Sequence, residues 1–209
     1  MRILAYDTES TDLSASWGRI LCASFVELGS QDVYTYRGDK RPHDLPATGH
    51  AKHYPGEDAV DDSQLCVAIR DELEAADIIV SWNGILHDIP LLNARLQVGG
   101  ERPYKGKTWP QGSHLDLMYY ATGSMLKIGS KKLDNVAKFF NLPNQKTPLD
   151  GKIWQLAATG DRAAMNLVVE HCEADTLVLA DTMPYLAPHV KKLVLPFTFW
   201  WKYAKDITL

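Results

Sequence analysis

Residues 6–13 read YDTESTDL and close an apolar run, RILAY, at residues 2–6. In a β-strand alternate side chains share a face, so Asp7 and Glu9 project to one side and Thr8 to the other. Two like charges held that close cost free energy unless something positive sits between them. The stretch predicts a strand that ends on a pair of acids in need of a cation.

The rest of the chain bounds what that strand belongs to. Its 209 residues, 45% hydrophobic and 23% charged, suit one soluble α/β domain large enough to bury a sizeable core. No apolar stretch has the length of a membrane span, and residue 1 leads straight into a strand pattern rather than a secretory leader. Cys22, Cys66 and Cys172 are odd in number, far apart and form no C-x-x-C pair. This argues against a disulfide framework or thiolate zinc site and makes the cytoplasm the expected location. A net charge of −4 speaks against a strongly basic nucleic-acid binder. It leaves room for an enzyme whose acids are neutralised by metal ions.

RILAYDT, RILCASFVEL and DVYTYR read as three strands in a meander, the last two separated by the short turn GSQD. Residues 37–62 are polar and rich in Gly, Pro and His, the composition of a long loop. SQLCVAIRDELEAA has helical spacing at Leu65, Ile69 and Leu73, with Ser63 in N-cap position. DIIVSW is a short buried strand, and DIPLLNARLQV a helix that stops at Gly99-Gly100. SHLDLMYY is expected as another strand, KKLDNVAKFF as a short helix and GDRAAMNLVVEHCEADTLVLADTM as a long one. Strands alternating with helices extend the meander into a mixed, mostly parallel sheet of about five strands flanked by helices. A single domain is expected over 1–209, with residues 186–209 as an aromatic-rich extension.

A D-x-E alone is weak; roughly half of chains this long would hold one by chance. Two further segments add weight. SWNGILHDIPLL places Asn83 and Asp88 at a strand-to-helix junction, where Asp88 could equally be an N-cap. EHCEADTLVLA places His171 and Asp175 four apart on one helical face, beside Val168 and Leu179. An acid in an apolar stripe usually has a partner, a salt bridge being the plain alternative.

In their order these acids resemble the DEDD family of 3′–5′ exonucleases, which have the ribonuclease H-like fold. DTESTDL is similar to that family's first motif, commonly DTETTGL. NGILHD is similar to the second, an Asn followed five residues later by a metal-binding Asp. HCEADTLVLA resembles the third motif as family B DNA polymerases carry it, Y-C-x-x-D. HLDL and KKLDNVAKFFNL look like the stretch between the second and third motifs, and the resemblance covers most of residues 1–185.

The resemblance implies that Asp7, Glu9, Asp88 and Asp175 hold two divalent cations. An all-carboxylate set suits Mg²⁺ or Mn²⁺ better than zinc. It implies two-metal hydrolysis from the 3′ end of single-stranded or frayed DNA, releasing nucleoside 5′-monophosphates. It also implies substrate contacts for Thr8, Leu13 and Asn83, and a water-orienting or general-base role for a residue beside the last acid. Family members use a Tyr four residues before that Asp or a His five before it. Here His171 stands at the Tyr position, which mixes the two subtypes. His87 replaces a usual Phe or Tyr, and Asp12 a usual Gly.

Lys131-Lys132 and Lys105/Lys107 are candidates for phosphate contacts or simply solvated charges. Phe197–Tyr203 holds five aromatics in seven residues. Their alternation favours docking on the body or an interface, with a second copy or a polymerase or repair partner, over base stacking. RNA in place of DNA is the rival substrate. A non-catalytic nucleic-acid-binding or scaffold domain of the same fold is the alternative of a different class.

Overall fold

The computed structural model describes residues 1–30, 32–39, 52–53, 61–108, 110–123, 126–145, 148–190 and 193. The chain runs β1 (Ile3–Ser10), β2 (Ile20–Glu27), β3 (Val33–Arg37), β4 (Lys52–His53), α1 (Ser63–Glu74), β5 (Ile78–Ser81) and α2 (Asp88–Val98). There follow β6 (His114–Asp116), α3 (Met118–Thr122), α4 (Leu133–Phe139), α5 (Gly151–Ala158), α6 (Arg162–Leu186) and a 3₁₀ turn at Ala187–His189.

The strands form one mixed sheet in the order β4-β3-β2-β1-β5-β6. β1, β2 and β3 pair antiparallel as the expected meander. β5 and β6 add in parallel on the other side of β1. The two residues of β4 pair in parallel with β3, so five longer strands carry the sheet. The order and mixed directions are those of the ribonuclease H-like architecture expected from the sequence.

Each face of the sheet buries its own core, and β1 shows how. Ile3 and Ala5 face one side, where they join Val178, Leu179 and Met183 of α6. Leu4 and Tyr6 face the other, with Ile69 and Leu73 of α1 and Leu92 and Leu96 of α2. The strand's period of two then decides the rest. Asp7 and Glu9 continue the parity of Ile3 and Ala5 toward α6, while Thr8 continues that of Leu4 and Tyr6 toward α1 and α2. The regular pairing with β2 shifts between Glu9 and Ser10, just after the second acid.

Four local expectations change. SHLDLMYY is strand only over His114–Asp116; the Asp116 carboxylate then accepts the Met118 N–H at 3.2 Å and starts α3. Ser63 is the first residue of α1 and the cap position is Asp62. The Asp62 side chain turns into the body instead, accepting the Ile20 N–H at 2.8 Å and a bidentate pair from Arg95. Helix α5 was not expected; Asp150 caps it by accepting the Lys152 N–H at 3.0 Å. Of the long loop at 37–62, Arg37 belongs to β3 and Lys52–His53 form β4; residues 40–51 and 54–60 lie outside the described residues. So does the aromatic segment Phe197–Tyr203. Among the described residues no helix is long and apolar enough to cross a membrane.

Asp62 ties β2, α1 and α2 together from a buried position. Asp62→Ala is expected to lower the unfolding free energy by about 2–4 kcal/mol, because it orphans a backbone donor and a partly buried guanidinium. Urea denaturation measures this.

Candidate active site

Glu9 at the end of β1 meets two residues one turn apart on α6. His171 Nε2 stands 3.7 Å from Glu9 Oε1 and 3.8 Å from Asp175 Oδ2. One donor atom from each of the three lies within 4.8 Å of the others. α6 brings its pair here because Met165, Val168, Val169 and Cys172 dock on Leu21 and Cys22 of β2, turning the adjacent stripe toward β1. His171 and Asp175 are left 9% and 4% exposed.

Two further contacts hold this corner. The Trp154 indole N–H on α5 donates to Glu9 Oε2 at 2.9 Å, and its ring meets His171 edge-on at 5.6 Å and 87°. Cys172 Sγ–H donates to the backbone carbonyl of Asp7 at 3.4 Å, pinning β1 to α6 beside the first acid.

Asp7 and Asp175 also line a cavity of about 580 Å³ together with Asn83, His87, Lys131 and Lys132. Both lysines are exposed at the rim, with Asp134 beside them, while Asp175 is buried beneath. This is the size of cleft that holds a small ligand. A second cavity of about 550 Å³, lined by Tyr36, Val67, Glu72 and Glu101, shares no residue with this site.

Asp88, the first residue of α2, is reached from the other face of β1: the Thr8 hydroxyl donates to its Oδ1. It lines neither the cavity nor the Glu9–His171–Asp175 cluster. Burial raises its carboxyl above the usual range, and the Thr8 hydrogen bond works against that rise. The structure therefore gathers Asp7, Glu9, His171, Asp175 and Asn83 around one corner, with Asp88 tethered to the strand between the two acids. Leu13 is 79% exposed in the β1–β2 connection, where Trp17 is 84% exposed.

The loop that carries Asn83 to Asp88 is shaped by Asp116. Its carboxylate accepts the Asn83 N–H at 2.9 Å and the Ile85 N–H at 3.3 Å; burial raises this carboxyl and the backbone donors oppose it. Asn83 has φ +64°, a left-handed conformation that Asn tolerates. A Cβ on Gly84 would lie 2.7 Å from Ser81 Oγ, so the next position admits only glycine. Beneath it, Ser81 Oγ and His114 Nε2 are 2.8 Å apart, and burial pushes His114 down to about 4.

Trp154 and Asp116 support the site without standing in any acidic motif. The Asn-Gly pair and HLDL hint at the Asp116 loop, whereas nothing local marks Trp154, 145 residues from the carboxylate it holds.

Residues 4–187 match the family model described as the RNase_H superfamily. The chain belongs to the RNase_H superfamily. Its structure resembles that of the family B DNA polymerase from the hyperthermophilic archaeon Pyrobaculum calidifontis, with a TM-score of 0.65 and 16% sequence identity. The likeness covers 90% of this chain and 25% of the polymerase, and at that identity it speaks for the fold alone. No curated protein matches the sequence. Membership in the RNase_H superfamily supports an enzyme of nuclease type, and RNase H-like nucleases use divalent metals. The donor set fits such an ion: two carboxylates and an imidazole within reach of one cation, with a third carboxylate on the adjoining cavity.

His114 gives a pH signature. Its folded-state value lies below the ordinary 6.5, so the unfolded chain binds the extra proton. The contribution of His114 to stability is full above pH 6.5 and is lost as pH drops toward about 4, on the order of 3 kcal/mol. Denaturant titrations in EDTA from pH 7.5 to 4 should show this slope, and His114→Gln should flatten it.

Proposed function

We propose that the protein is a metal-dependent 3′–5′ exonuclease that hydrolyses DNA to nucleoside 5′-monophosphates. The observation that supports it best is the meeting of Glu9, His171 and Asp175 beside a cavity whose floor holds Asp7 and Asp175 and whose rim holds Lys131 and Lys132. An acidic floor alone repels phosphate. With divalent cations at the floor and lysines at the rim, the cleft attracts a phosphodiester instead.

Asp7, Glu9 and Asp175 would hold the cations, with Asp88 contributing from the α2 side. Bound there, the ions would supply Lewis-acid stabilisation of charge on the phosphate and make an attacking water more acidic. The chain's own groups do the rest. Trp154 fixes the rotamer of Glu9, and Cys172 fixes the β1 backbone at Asp7, so the acids are placed before substrate arrives. Asn83, presented by its left-handed backbone, faces the same cavity. Exposed Leu13 and the Thr8 backbone would meet the terminal nucleotide as the DEDD resemblance implies. Lys131 and Lys132 would neutralise the phosphate that the acids do not reach.

The test is a gel time course with 5′-labelled single- and double-stranded DNA and single-stranded RNA, in Mg²⁺, Mn²⁺ or EDTA. The expected result is a metal-dependent ladder shortening from the 3′ end of DNA. Asp7→Ala and Asp175→Ala should each slow it by at least about a thousandfold. Degradation of RNA alone would make the protein an exoribonuclease. Intact substrates, with metal still stabilising the fold, would make it a binding module.

A further inference from the structure

We propose that His171 is itself a ligand to the cation held by Glu9 and Asp175. This makes a two-carboxylate, one-imidazole site that prefers transition-metal dications such as Mn²⁺ to Mg²⁺. The inference rests on the metal-dependent reading above and departs from the general-base role that the DEDD resemblance implies for this position.

The geometry carries it. Donors about 2.1 Å from a shared ion stand about 3.0 Å apart at right angles and about 4.2 Å apart when opposed. His171 Nε2 lies 3.7 Å from Glu9 Oε1 and 3.8 Å from Asp175 Oδ2, between those two spacings, so the donors need to close by about 0.7 Å to take right-angle positions on one ion. The spacing between His171 and Asp175 contributes directly. At four residues along α6 the two side chains share a face, one above the other. At the five-residue spacing used elsewhere in the family, the ring would be rotated away by about 100°.

Trp154 supplies the supporting contacts a ligand needs. Its indole N–H holds Glu9 by Oε2, while Oε1 is the oxygen nearer His171. Its ring edge packs on the imidazole and limits how that ring can turn. His171 is buried and has little room to swing into solvent. A nitrogen in the set shifts preference, because Mg²⁺ demands oxygen and keeps its waters, whereas imidazole suits transition metals. An imidazole whose Nε2 lone pair is committed to a metal cannot also accept the proton of the attacking water, so the two roles are exclusive.

The full chain loaded with Mn²⁺ alone can be tested by pulsed electron paramagnetic resonance. Directly bound imidazole gives a ¹⁴N modulation that changes to the ¹⁵N pattern when histidine is ¹⁵N-labelled. The expected result is that modulation in the unsubstituted protein and its loss in His171→Ala and His171→Gln. In the same variants the Mn²⁺ dissociation constant should rise more than about tenfold. The Mg²⁺ constant should change far less, and the melting temperature in EDTA should stay near that of the parent. The labelled parent answers the question even if neither variant folds. Tight Mn²⁺ binding without nitrogen modulation would overturn the inference while leaving the metal-dependent nuclease intact, as would modulation that persists without His171. Absence of Mn²⁺ binding in the parent would overturn both.

Discussion

Three carboxylates on two elements converge on a small, largely buried volume, and the surrounding structure is organised around that electrostatic load. Asp7 and Glu9 are committed to one side of the sheet by strand alternation, and Asp175 is brought to them by the docking of α6. Like charges brought this close repel one another, since burial weakens the screening that would separate them. The contacts around it fix these acids in place. An indole N–H holds Glu9, a thiol holds the backbone at Asp7, and a hydroxyl holds Asp88.

The two faces of β1 divide the labour. On the α6 side the acids and His171 collect where apolar packing stops. On the α2 side Thr8 reaches Asp88, and Asp116 shapes the loop that carries Asn83 and His87 to the cavity. Both sides meet beyond the carboxyl ends of the parallel strands β1, β5 and β6, the place where an open α/β sheet gathers its functional groups. The cavity there is polarised, with acids at its floor and two lysines at its rim.

His171 stands where the two subtypes of the DEDD resemblance diverge. Replacing a phenol by an imidazole at unchanged helical spacing keeps the side chain over Asp175 rather than beside it. With His171 as the ligand proposed above, the change alters the donor set of the site as well as its proton chemistry.

Sequence alone determined the parts of this protein that depend on local periodicity. The alternation of RILAYDTE put Asp7 and Glu9 on one face, the four-residue spacing put His171 above Asp175, and the apolar runs gave the meander and the long helix. Each follows from a fixed geometric repeat, which is why it was legible. What only the tertiary structure decided depends on contacts between distant segments. Trp154 carries no motif, yet α5 sets it on Glu9 and His171; Asp62 sits at a helix start, yet its carboxylate serves β2 and Arg95. Lys131 and Lys132 could as well have been a solvated face until the fold set them on the same cavity as Asp7 and Asp175. A repeat fixes which way a side chain points, but only packing fixes what it meets.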